Sequence, residues 1–137
     1  MPKATWAAGE QINGEARLIL TQGDAVDLGG SGGGLIAFSY AEVGGLDRHM
    51  DGIVTADCRP RRLTANAPFT SGLQGGGSYN PGEPNEDFYR AFMTAPYVAL
   101  PEGTWDIAAV TMFSEGAYCS GTNFSFGTTV RVTITPK

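Results

Sequence analysis

Two stretches of strict alternation near the C-terminal end constrain this chain more than anything else in it. From Thr104 to Phe113, the residues Trp105, Ile107, Ala109, Thr111 and Phe113 fall on one face. Asp106, Ala108, Val110 and Met112 fall on the other. From Thr128 to Thr135, Thr128, Val130, Val132 and Ile134 share a face, and Thr129, Arg131 and Thr133 point the opposite way. Side chains alternate with period 2 in a strand, so these are half-buried antiparallel strands. Their apolar faces run in step, which places Trp105 and Ile107 in the core with Val130 and Val132.

Shorter signals precede them. Gly14 to Thr21 alternates, Leu35 to Tyr40 carries Ile36, Phe38 and Tyr40 on one face, and Met50 to Cys58 reads as a strand weakened by Gly52. Tyr97 to Leu100 reads as a strand joined to the next by a turn at Pro101-Glu102-Gly103. The glycine run from Gly29 to Gly34 reads as a flexible turn. Six or seven short strands in 137 residues predict a single all-β domain, an antiparallel β-sandwich of Ig-like or jelly-roll type.

Residues 59–95 change character. Prolines and glycines are scattered through them, which disfavours a continuous strand. The reading is a long irregular loop, with a short helix over Asn85–Met93 capped by Asn85 and carrying Glu86 and Asp87 in its first turn. Loops held by a rigid sandwich are where binding concentrates. The candidate partner-binding residues are therefore Trp6 in the N-terminal arm (residues 1–13), the basic knot Arg59, Arg61 and Arg62, and the aromatics Tyr79, Phe88 and Tyr89.

Cys58 and Cys119 lie 61 positions apart, each at a strand end beside a turn. An inter-sheet disulfide is easy to build there and needs an oxidising setting; two buried free thiols are the alternative. Catalytic patterns fail on inspection. Gly29 to Gly33 matches G-x-S-x-G, but a nucleophile elbow needs a strand before and a helix after, and here a strand follows. His49 is the sole histidine, which removes most nucleophile triads. Asp47, His49 and Asp51 have metal-compatible spacing yet suit a solvated strand face, and Glu83, Glu86 and Asp87 suit a helix start better than a glycosidase pair. No cofactor is expected and no enzyme. A net charge of −5 argues against a nucleic-acid partner, and no run of 18 apolar residues argues for a membrane span.

The C-terminal third, Leu100-Pro101-Glu102-Gly103-Thr104-Trp105-Asp106-Ile107 through Cys119-Ser120-Gly121 to Thr129–Ile134, resembles two groups. One is the β-sandwich accessory proteins of tailed phages of actinobacteria, minor tail or head-decoration proteins. The other is the small secreted β-sandwich domains of the same bacteria. The resemblance lies in strand pattern, so it carries no functional residues across. With a start, Met1 to Trp6, that lacks an apolar leader stretch, it implies a virion structural protein that docks by its loops onto other virion proteins or copies of itself. The alternative it implies is a secreted module binding a carbohydrate, such as a host-surface glycan, or another ligand.

Overall fold

In the computed structural model, residues 3–32, 34–52, 57–75, 78–116, 119 and 121–137 are described. Among them, nine strands and one helix follow in order: β1 (Thr5–Ala7), β2 (Glu15–Leu18), β3 (Ala25–Gly30), β4 (Ile36–Glu42), β5 (His49–Asp51), β6 (Arg59–Thr64), β7 (Phe69–Gly72), α1 (Glu86–Thr94), β8 (Gly103–Glu115) and β9 (Asn123–Thr135). The all-β sandwich with one short helix is what the alternation predicts.

The spine is the β8–β9 hairpin, in unbroken register from Gly103↔Ile134 to Ser114↔Asn123. On the far side of β8, β4 pairs with Trp105–Thr111 and β3 takes over at Ser114 and Glu115. The seven-stranded sheet therefore forks, one branch ending in β5 and the other in β6. β1 lies against the end of β9 in parallel, from Thr5↔Thr133 to Ala7↔Thr135, so the sheet is not wholly antiparallel. Among the described residues, the second sheet is the β2–β7 pair alone.

A two-stranded sheet is too small to cover the inner face of the larger one, and helix α1 completes the layer. Trp105, Ile107, Val132, Ile134, Phe38 and Tyr40 from the large sheet pack with Tyr89 and Phe92 of α1 and with Trp6, Val98 and Leu100. Val130 sits half-buried at the margin. A smaller cluster of Leu18, Leu28, Leu35 and Leu63 closes the other end. Trp105 is fully buried and its indole Nε1 donates to Pro101 O at 3.1 Å.

Several local expectations are corrected. Residues 59–95 are not one irregular loop: β6 and β7 lie inside it. Pro60 is tolerated because β6 is an edge strand whose one strand partner among the described residues is β3. Gly29 and Gly30 belong to β3, not to a turn. A Cβ on Gly29 would stand 2.5 Å from Cys119 Sγ, and one on Gly30 would stand 2.2 Å from Leu35 Cδ2, so both make room for packing. Tyr97 to Leu100 forms no strand; instead Val98 O and Leu100 O accept from Ile12 N (2.8 Å) and Gly9 N (3.3 Å). The expected strand from Met50 shortens to β5, and residues 53–56 of it lie outside the described residues. Asn85 does not cap α1 with its side chain: it adopts φ 65°, and its carbonyl accepts from Phe88 N and Tyr89 N.

Candidate docking surface

The residues expected to grip a partner are largely occupied by the fold itself. Trp6 is 4% exposed and Tyr89 9% exposed. Phe88 packs on Trp105 with centroids 5.5 Å apart, and Tyr79 stacks on Tyr89 at 6.1 Å. These four aromatics are layer-completing side chains and not exposed anchors, because the small second sheet leaves apolar area for them to cover. Tyr97 does stay exposed.

The basic knot is likewise committed. Arg59 reaches Asp57 at 3.0 Å and Arg62 reaches Asp27 at 3.1 Å, both on the surface. Arg61 Nη2 donates to Ser31 O and Gly32 O at 3.1 and 3.2 Å, tying β6 to the connection after β3. Cys58 and Cys119 form the expected disulfide, with Cα atoms 6.1 Å apart, and it fastens the β8–β9 connection to the start of β6. Asp47 sits in a left-handed turn while His49 and Asp51 are exposed on β5. Among the described residues no three His, Cys, Asp or Glu side chains converge as a metal site requires, and no helix is long and apolar enough to cross a membrane.

What the structure leaves open lies elsewhere, on the half of β9 that precedes the core. The inner face continues from Ile134, Val132 and Val130 back through Thr128 to Phe126 and Phe124, and among the described residues no second layer buries these two rings. Phe124 is 42% exposed and Phe126 54% exposed. Phe113 of β8 stacks on Phe124 at 5.4 Å and meets Phe126 edge-on at 6.0 Å, giving a surface aromatic cluster. β9 begins at Asn123, five residues before the alternation read from Thr128, and the pattern Phe124-x-Phe126-x-Thr128 carries the same face back to its start. Gly127 is required by close approach: a Cβ there would lie 2.3 Å from Ala109 O.

Phe126 also stands at one lip of a cleft of about 470 Å³ between β2 and the large sheet. Its walls are mainly apolar, from Ala16, Leu18, Ile36, Phe38, Ala109 and Val130. Glu15 and Arg17 also line it and pair with each other at 2.6 Å. Thr111 lines the cleft as well, and its buried hydroxyl has no partner among the described residues. Such a cleft is within the size range of small-ligand sites.

The chain matches no family model, no curated protein and no solved structure. Its surface must therefore be read on its own chemistry. Charge on the outer face of the β8–β9 hairpin is balanced strand to strand: Asp106 and Arg131 are register partners and bond at 2.9 and 3.2 Å. The Arg131 hydrogen bond holds the Asp106 carboxyl below its ordinary pKa. No such balance of charge occupies the aromatic end, where the side chains are apolar or neutral from Asn123 to Val130.

Proposed function

We propose that this chain is a non-enzymatic accessory module of a larger particle, a minor tail or decoration component of a virion, and that it works by docking. The observation that supports this reading is the uncovered apolar end of the inner face, Phe124 and Phe126 with Phe113 beneath them. Exposed aromatics clustered on a rigid hairpin are the side chains that anchor protein interfaces. The contact surface thus moves from the 59–95 segment to the β8–β9 arm. Mass spectrometry of virions encoded alongside the chain should find it as a regular component. Phe124→Ser with Phe126→Ser should leave the thermal midpoint close to wild type while particles lose the protein. Particles that never contain the wild-type chain would overturn the reading.

A second reading, a secreted ligand-binding module, is favoured by the cleft beside Thr111. Its apolar walls suit a small apolar molecule with one hydrogen-bonding group better than a polysaccharide. On that reading, native mass spectrometry finds a small molecule retained by the wild type and lost in Ala109→Trp.

A further inference from the structure

We propose that the outer edge of β9, residues 123–131, is a strand-addition site, and that its occupant is the same strand of a second copy of this chain, running antiparallel about a two-fold axis at Gly127. This deepens the docking reading, on which it rests for taking the β8–β9 arm as the contact.

Backbone polarity decides which groups of β9 are free. In an antiparallel ladder the N–H and C=O of successive residues point to alternate sides. Thr133 N donates to Ala4 O, on the β1 side, while Thr122 O accepts from Glu115 N, on the β8 side. The register between β8 and β9 is unbroken. Asn123, Ser125, Gly127, Thr129 and Arg131 therefore turn both backbone groups away from β8. β1 covers this side only from Thr133 to Thr135. Among the described residues, nothing pairs with the edge from Asn123 to Arg131.

Free edges invite pairing, and folds blunt them with proline, charge or brevity. The other edges of the large sheet are blunted. β6 has Pro60 and three arginines; β5 is three residues long with His49 and Asp51; β1 is three residues long. The β9 edge reads Asn-Phe-Ser-Phe-Gly-Thr-Thr-Val-Arg, with no proline and one charge, Arg131, already bonded to Asp106. Phe, Thr and Val favour extended backbone.

The occupant follows from the match of this edge with itself. Centring the pair on Gly127 uses the whole free length. Where β1 takes over beyond Arg131, the second strand has reached Asn123, its own first residue. Phe124 then faces Val130 of the other copy and Phe126 faces Thr128, the aromatic and β-branched pairs that stabilise antiparallel strands. Arg131 faces Asn123, so no like charges oppose. The two Phe126 rings become diagonal neighbours on a continued inner face, which joins the two aromatic ends into one larger open patch.

Sedimentation of the full chain across a dilution series is the test, with amide hydrogen exchange read residue by residue. The wild type should show twice the chain mass at high concentration, and the amides of Ser125, Gly127 and Thr129 should become protected as it associates. Thr129→Pro removes an outward donor without touching the β8 ladder, and should weaken association about tenfold or more. Thr129→Val keeps the donor and should not. Exchange in the wild type keeps the test independent of whether the proline variant folds. A chain that stays monomeric, or outward amides that exchange equally at all concentrations, would overturn the proposal. A monomer that still attaches to particles sinks only this inference; a dimer absent from particles sinks only the docking reading.

Discussion

Arg48 and Glu42 form a two-point ion pair under helix α1, with Nε to Oε1 at 2.9 Å and Nη2 to Oε2 at 3.0 Å. The side chains are only 14% and 7% exposed. The guanidinium also lies 5.3 Å from the Phe88 ring centroid and 5.5 Å from that of Trp105, so it joins the helix to the sheet. Glu42 Oε1 further accepts from Leu46 N and Arg48 N, which fixes the turn between β4 and β5. Arg48→Met strands a carboxylate in that corner and should lower stability by about 3 kcal/mol, read from urea denaturation. Lys in place of Arg48 should restore little, because it cannot hold both oxygens while lying flat on two rings.

The same pair sets an acid response. The Arg48 side-chain hydrogen bond is the largest cause holding the Glu42 carboxyl below its ordinary pKa of 4.5. A carboxylate depressed in the folded state stabilises the fold above its unfolded pKa and loses that contribution as pH falls through the folded one. The thermal midpoint should therefore hold down to about the ordinary carboxylate range and fall below it. Glu42→Gln should start lower at neutral pH and show a shallower acid decline. An identical decline in the variant would place the acid sensitivity elsewhere.

Trp105 sits opposite Val132 in the β8–β9 register and is wholly buried. Trp105→Ala empties the site where the large sheet, α1 and the Pro101 carbonyl meet. It should cost about 3–5 kcal/mol, visible as a large drop in thermal midpoint. Val130→Ala, at the half-buried margin, should cost about 1–2 kcal/mol less than a fully buried aliphatic deletion.

The disulfide and Gly29 should behave as one unit. Replacing Cys58 and Cys119 by Ser removes a constraint on a separation of 61 residues, a loss of about 4 kcal/mol on the chain-entropy model. Gly29→Ala puts a methyl 2.5 Å from Cys119 Sγ, 2.8 Å from Cys119 N and 3.0 Å from Cys58 Sγ, and should cost about 1–3 kcal/mol by overpacking. Made together, the changes should cost less than their sum, because the methyl then has less sulfur to displace. Strict additivity in denaturant melts would show that the contact does not matter.

Alternation is local information, and what depends on it could be read from the sequence alone. Trp105, Ile107 and Val132 are interior because an extended chain has no other way to segregate such a pattern. The bridge was legible for a different reason: the chain has only two cysteines, and each sits near a strand boundary. Glycine and aromatic residues carry no such local information. Gly29 and Gly30 suggest a turn until Cys119 and Leu35 press against them. Phe88 and Tyr89 suggest exposed anchors until the second sheet proves to be only β2 and β7, which leaves Trp105 and Tyr40 for the helix to cover. Which apolar surface remains open is likewise the difference between the areas of two layers. Neither layer's area is written in any one segment, so only the assembled fold could leave Phe124 and Phe126 uncovered.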